Sequence, residues 1–176
     1  MVCGTASAYA ATDATQTGRS VTPTPRAIED NTELKPHMGI LVGATNPEGS
    51  GNTGSEIGID VGYQPYIPYA VGAEFIHSRV ENGTTTDKRN TLWVKGTYNF
   101  GGDIIILRES YVGLAAGAVM LSDKTAAAVA PLVGFDIPMQ MENGKHISFG
   151  ANARYAIVSE GEADTFSLNG AVKYWF

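Results

Sequence analysis

The amino-acid sequence predicts an all-β fold, namely an eight-stranded antiparallel up-and-down barrel that crosses a membrane. From His37 onward, short runs of alternating apolar and polar residues are separated by clusters of Gly, Asn, Asp, Ser and Thr, a pattern typical of all-β chains. No stretch approaches the ~20 consecutive apolar residues that a membrane-crossing helix needs. Because backbone groups in lipid must be paired internally, a closed barrel is then the only other structure that can span a membrane.

Eight segments show the alternation that defines the predicted strands. They lie at about 37–45, 56–64, 67–79, 90–100, 107–121, 126–138, 145–158 and 164–176. An even number of strands places both ends of an antiparallel barrel on the same side of the membrane. Pro131 interrupts the sixth segment, and because proline lacks a ladder donor we expect a bulge there.

Each predicted strand has one bulky apolar face and one face rich in Gly, Ala, Ser and Asn. In a soluble sandwich the apolar face would point inward, whereas in a membrane barrel it points outward. A narrow lumen needs compact residues, so the small side chains of the second face favour the barrel. We therefore expect one apolar position on each of six strands to face lipid: Val71, Val94, Leu114, Val133, Phe149 and Val172.

The small-residue faces also carry sparse charges that nearly balance, as a closed interior requires because unpaired buried charges are costly. The predicted lumen charges are Asp60, Glu74, Lys95, Glu109, Asp136, Arg154 and Lys173. Glu74 and Lys95 fall near mid-height on neighbouring strands, so we expect them to pair. Ordinary exposed strand residues with accidental balance remain the alternative.

Aromatic residues cluster near one set of strand ends, as in an interfacial girdle. They are Tyr63, Tyr66, Tyr69, Tyr98, Phe100, Phe135, Tyr174 and Phe176. A cap on a hydrophobic core would give a similar cluster. The connections at the opposite strand ends, predicted as surface loops, are short and lie at about 46–55, 80–89, 122–125 and 159–163.

The N-terminal part of the chain lacks the strand pattern. Residues 1–11 resemble the remnant of an export signal, with Ala8-Tyr9-Ala10 as an A-x-A cleavage pattern. Residues 12–36 are polar and contain prolines, which predicts a flexible leader before a barrel over 37–176. Cys3 is the one cysteine. It is removed if residues 1–11 belong to a cleaved signal, and it is lipidated if the protein is a lipoprotein.

Composition and motifs exclude several functions. The formal net charge of -6 argues against nucleic-acid binding, which needs a basic surface. A single cysteine excludes a disulfide within the chain and zinc sites of the CxxC type. His77 and Ser78 are adjacent and point to opposite faces of a strand, and no G-x-S-x-G turn is present. We therefore expect no catalytic residues, cofactor or metal, although His77 and His146 keep a lipid-modifying enzyme open as an alternative.

The segment Val172-Lys173-Tyr174-Trp175-Phe176 resembles the last strand of bacterial outer-membrane barrels, which ends on an aromatic residue. Strand number and size are similar to the OmpA transmembrane domain and OmpX class of small barrels. The resemblance implies an assembly signal at Val172, Tyr174 and Phe176 that the barrel-assembly machinery recognises. It also implies a monomer in contact with outer-membrane lipid and lipopolysaccharide, with a membrane-stabilising or surface-interaction role. A soluble lipocalin-like binding protein remains the alternative from a different class.

Overall fold

The computed structural model describes residues 35–49, 52–66, 68–82, 85–101, 104–141 and 145–176. It contains eight strands and one short helix in these ranges. The strands are β1 Lys35–Pro47, β2 Gly54–Tyr66, β3 Tyr69–Asn82, β4 Thr85–Asn99, β5 Ser110–Met120, β6 Thr125–Gln140, β7 His146–Val158 and β8 Thr165–Trp175. The helix α1, Ile105–Arg108, lies between β4 and β5. The predicted leader and export signal lie outside the described residues, apart from Lys35 and Pro36, which belong to β1.

The eight strands form one closed barrel in sequence order. Every neighbouring pair is antiparallel, and β1 closes the barrel against β8, with Ile40 opposite Val172. This confirms the predicted fold class. We call the end where β1 starts and β8 finishes the terminal end, and the opposite end, with connections at 48–53, 83–84, 121–124 and 159–164, the loop end. None of the described helical segments has the length and apolar character needed to cross a membrane.

Side chains alternate strictly between the outside and the inside of the barrel. Each of the six positions expected to face lipid points outward, from Val172 at 43% exposure to Leu114 at 68%. This placement contradicts the soluble lipocalin-like alternative, which needs the apolar face inside. The inward face carries compact side chains, several of them alanines, as an eight-stranded barrel requires. The buried alanines are Ala115, Ala126, Ala128, Ala130, Ala156 and Ala171.

Inward glycines let large interior side chains approach the wall. A Cβ atom added at Gly134 would lie 2.5 Å from the Tyr111 hydroxyl and 2.6 Å from the carbonyl oxygen of Ala151. The aromatic ring of Tyr111 therefore occupies the space that a side chain at this position would need. Gly62 has the same relationship to the imidazole ring of His37.

Two sequence-based expectations about strand boundaries need correction. β5 begins at Ser110 and not at 107. The residues just before Ser110 lie past the end of β4 and therefore have no partner on that strand. Arg108 N–H donates to the Ile104 carbonyl instead. The predicted surface loop at 80–89 is mostly a paired hairpin, in which Asn82 is opposite Thr85.

The bulge expected at Pro131 is absent from the described β6–β7 ladder. Ala128 is opposite Val158 and Leu132 is opposite Arg154, so the register is the same on both sides of the proline. Between these two pairs, residues 130–131 have no partner on β7. On the other side of β6, Pro131 remains opposite Leu114 of β5. The missing donor is therefore accommodated by a local break in pairing without an inserted residue.

Candidate functional site: a charged layer inside the barrel

Six of the seven predicted lumen charges meet inside the barrel, at the level of the middle and terminal half of the strands. We call this set the charged layer: Asp60, Glu74, Lys95, Asp136, Arg154 and Lys173. All are buried except Asp136, whose side chain is 19% exposed. Strand parity explains their common direction, because each lies on the small-residue face of its strand.

The side chains of the charged layer form a continuous series of ion pairs. Lys95 Nζ lies 2.6 Å from Glu74 Oε1 and 2.9 Å from Asp60 Oδ1, so one ammonium group joins two carboxylates. On the other side of Glu74, the guanidinium of Arg154 donates to Oε2 at 2.5 Å. Because Arg154 is on β7 and Glu74 on β3, this bond crosses the interior.

Lys173 extends the series toward β6. Its Nζ donates to Asp136 Oδ2 at 2.6 Å and lies 3.6 Å from Asp60 Oδ2. His37, which is not among the predicted lumen charges, places Nε2 3.3 Å from the same Asp60 oxygen. Its inward direction follows from parity, because Met38 and Ile40 on the same strand face outward.

Glu109 is not part of the charged layer, and its predicted lumen position is wrong. Its carboxylate accepts a 2.8 Å hydrogen bond from Arg108 Nε in the turn after α1, and both side chains are partly exposed. The error follows from the boundary of β5, since Glu109 precedes the strand. Without it the charged layer contains three acids and three bases, so its formal charge balances.

Two aromatic rings cover two of the three cations of the charged layer. The Arg154 guanidinium lies 5.3 Å from the Trp93 ring centroid, and Lys173 Nζ lies 5.5 Å from that of Tyr111. Both rings are almost fully buried. Cation–π attraction strengthens when the groups are desolvated, so the rings stabilise these two cations.

A further buried carboxylate, that of Glu56, lies nearer the loop end and was not identified from the sequence. Its oxygens accept hydrogen bonds from Ser167 Oγ and Asn169 Nδ2, each at 3.1 Å. Ser167 also lies 3.3 Å from Thr45 Oγ1. Neutral donors therefore solvate Glu56 in place of a cation.

A cavity of about 30 Å³ extends from Arg154 past Glu56 toward the loop end. Trp93, Arg154 and Ser78 are among its lining residues. The Nη2 atom of Arg154 is buried and has no hydrogen-bond partner among the described residues. A cavity of this size with polar walls has room for a water molecule that could accept from this nitrogen.

The interior is also filled at the terminal end. Trp175 Nε1 donates to Ser148 Oγ at 3.0 Å, and the Trp175 ring lies 4.4 Å from the His37 ring, between centroids. His37 in turn contacts Asp60 of the charged layer. Packed side chains therefore continue from the charged layer to this end of the barrel.

Outward aromatic residues gather at the terminal end. Tyr98 contacts both Tyr69 and Phe100, with ring centroids 5.6 and 5.9 Å apart. Phe135 lies at the height of Phe100, because Phe100 N–H donates to the Ser110 carbonyl and Phe135 is opposite Ser110 on the ladder. Tyr63 is also exposed there, whereas the side chain of Tyr66 lies outside the described residues.

The predicted assembly signal lies on the outer surface of β8 and just after it. Val172 and Phe176 are exposed, and the rings of Tyr174 and Phe176 meet edge to face with centroids 5.1 Å apart. Lys145 Nζ, from the connection between β6 and β7, lies 5.3 Å above the Tyr174 ring.

The two residues considered for catalysis are separated by the barrel wall. His77 faces outward, where its Nδ1 lies 2.8 Å from Asn90 Oδ1, while Ser78 is buried inside. The described residues contain no group of three or more His, Cys, Asp or Glu arranged to hold a metal ion.

An apolar exterior around a charged interior, closed by eight antiparallel strands, defines a small transmembrane barrel of the outer-membrane type. Solved structures with this fold are similar to the chain. The crystal structure of Neisserial surface protein A aligns with a TM-score of 0.54 at 14% identity, covering 81% of this chain and 97% of that one. The outer membrane protein OprG from Pseudomonas aeruginosa aligns with a TM-score of 0.52 at 13% identity, covering 83% and 97%.

At this level of identity the similarity concerns the fold. No protein-family model matches the sequence. No curated protein matches it either.

Proposed function

We propose that the chain is an integral protein of the bacterial outer membrane whose interior is blocked by polar side chains, and whose role is membrane stabilisation or surface interaction. The observation that carries the proposal is the ion-pair series that joins β2, β3, β4, β6, β7 and β8 through the lumen. The apolar exterior and the fold of the similar barrels support the outer-membrane location.

Packing supports a blocked interior. Eight strands enclose a lumen just wide enough for side chains to fill. Here Trp93 and Tyr111 lie directly against the charged layer, and the cavity on the loop side is about 30 Å³. A hydrated ion passing the charged layer would have to displace paired, buried charges, which is costly.

The expected partners fit the same proposal. Membrane lipid, including lipopolysaccharide, would contact the outward apolar face, and the barrel-assembly machinery would recognise β8. The proposal takes the protein as a monomer without a cofactor. It also takes the protein as a non-enzyme, because His77 hydrogen-bonds to Asn90 on the outside while Ser78 lies inside.

Conductance in planar lipid bilayers tests the blocked interior. The folded protein should give no stable single-channel steps under conditions in which a large porin conducts. A double variant, Trp93→Ala with Arg154→Ala, removes the ring and the guanidinium that cross the lumen and should raise the leak. Large, stable steps from the unmodified protein would overturn the proposal and make the protein a pore.

The two branches of the proposed role differ in what deletion of the protein would change. Loss of membrane stabilisation should let hydrophobic dyes enter the source bacterium faster while attachment to surfaces is retained. Loss of a surface interaction should reduce attachment and leave dye entry unchanged. No change in either property would count against both branches.

A further inference from the structure

The outer surface of the β3–β4 hairpin carries two cations that face each other directly. Arg79 on β3 is opposite Lys88 on β4, and Ser55 on β2 is opposite Arg79. All three residues are exposed and lie on the outward face. We call Ser55, Arg79 and Lys88 the cationic patch.

No ion pair among the described side chains compensates the like charges of the cationic patch. Of the carboxylates that the structure describes, to which that of Glu81 does not belong, none has an oxygen within 4 Å of the Arg79 or Lys88 cation. Like charges directly opposite each other on a sheet destabilise it. In contrast, Lys124, a third cation at the loop end, contacts Glu162 at 2.5 Å, and this hydrogen bond raises the pKa of Lys124.

The height of the patch on the barrel places it at a membrane interface. Ten residues separate Tyr69 in the aromatic cluster from Arg79 on β3, and ten separate Lys88 from Tyr98 on β4. At ~3.3 Å per residue this is roughly 33 Å along a strand. With a strand tilt of about 35–45° the height is roughly 25 Å, the height of the apolar band of such barrels.

The surroundings of the patch fit a phosphorylated, hydroxyl-rich headgroup with acyl chains. An open groove beside the two cations is lined by Thr53, Gly54, Ser55, Arg79, Thr86 and Lys88. Its hydroxyl groups can bond to sugar or phosphate oxygens, and the cations form charge-assisted bonds to phosphate. Toward the terminal end, the polar pair His77 and Asn90 is followed by the exposed pair Phe75 and Leu92, on which an acyl chain can lie.

We infer that the cationic patch binds the phosphorylated headgroup of an outer-leaflet glycolipid, the lipid A part of lipopolysaccharide. This inference rests on the proposed function together with the predicted surface position of the loop-end connections, which would place the loop end of the barrel at the outer leaflet. It adds a binding site and a ligand chemistry that the blocked barrel alone does not require.

Native mass spectrometry of the folded barrel in detergent micelles tests the site with bisphosphorylated lipid A as the probe. The unmodified protein should retain one lipid A molecule. Arg79→Gln with Lys88→Gln should weaken retention about tenfold or more, since two charge-assisted contacts are lost. Lys124→Gln removes one positive charge at the same end, away from the patch, and should leave retention unchanged. Equal retention by the unmodified protein and the double variant would overturn the inference.

Two further probes identify the source of the phosphate. Dephosphorylated lipid A should bind the unmodified protein as weakly as lipid A binds the double variant, and equal binding of both lipids would contradict the phosphate contact. Inorganic phosphate at the concentration of the lipid should not displace lipid A, because it lacks the acyl chains. Complete displacement would show a site for free phosphate and overturn the lipid assignment.

The result is separable from the test of the blocked lumen. The substituted residues are exposed on the outer wall, so the double variant should remain folded, as judged by heat-dependent gel migration, and non-conducting. Conductance of the unmodified protein would contradict the proposed function without affecting lipid retention.

Discussion

Asp60 and Glu74 are direct neighbours across the β2–β3 ladder, so two carboxylates lie side by side inside the barrel. Lys95 reaches both, at 2.9 and 2.6 Å, from the next strand. Adjacent like charges on a sheet are unfavourable, and a buried charge without a partner is more costly still. Among the described residues, Lys95 is the cation that contacts both acids, so it stabilises their burial side by side.

Lys95→Met should destabilise the barrel strongly, because it leaves Glu74 with Arg154 alone and removes a cation from Asp60. Breaking a buried pair in this way typically costs ~3–5 kcal/mol. Lys95→Met with Glu74→Gln should be less destabilising than Lys95→Met alone, because removal of one acid with one base balances the formal charge of the layer again. Urea unfolding in lipid vesicles measures both free energies.

The exposed pair of Arg108 and Glu109 supplies the matched control for this experiment. Arg108→Met should cost about 0–1 kcal/mol, as for exposed ion pairs. If Lys95→Met were as mild as Arg108→Met, the charged layer would be too hydrated to contribute through burial.

Glycine substitutions at inward and outward positions of the barrel wall should differ in their effect on the free energy of unfolding. Gly134→Val should destabilise the barrel by about 1–3 kcal/mol, because the new side chain meets Tyr111 and the Ala151 carbonyl. Gly170→Val should be neutral or slightly stabilising, because an added Cβ lies 3.7 Å from the nearest carbonyl oxygen, that of Val42, and valine favours strands. The same unfolding assay measures both. Equal effects would contradict the inward and outward assignments of these strands.

Much of the fold could be predicted because the side-chain period of a strand is two. Alternation alone assigned Val94 outward and Lys95 inward, and it located all eight strands. Contacts across the lumen could not be predicted in this way. Arg154 bonds to Glu74 on a strand that is not its neighbour, and this meeting depends on the closure and stagger of the whole barrel.

Strand boundaries were the second limit, and they caused the error at Glu109. The alternation of the sequence continues into the residues of α1. These residues do not form a strand, because they lie past the end of β4 and have no partner on it. The same limit hid the cationic patch, because residues 80–89 were predicted as a loop. A loop gives no register, so the direct opposition of Arg79 and Lys88 could not be recognised.

Cysteine labelling should show which positions are shielded by lipid. In a background in which Cys3 is replaced by Ser, Val94→Cys and Leu114→Cys should react slowly with an aqueous maleimide in a bilayer. Asp123→Cys, in the exposed β5–β6 turn, should react fast. Reaction at Val94 and Leu114 as fast as at Asp123 would mean that the apolar face is in contact with water.

The aromatic pair at the end of β8 should matter for assembly more than for stability. Phe176 is 61% exposed and contacts mainly Tyr174, so Phe176→Ser should cost little free energy of unfolding in vesicles. If the barrel-assembly machinery recognises this outward aromatic face, the variant should reach the outer membrane in smaller amounts in cells, as measured by heat-dependent gel migration of membrane fractions. Phe166→Ser removes another exposed aromatic side chain from the same strand, nearer the loop end, and should assemble normally. Equal assembly of the two variants would contradict a signal at Phe176, and a large loss of unfolding free energy for Phe176→Ser alone would assign this residue to stability instead.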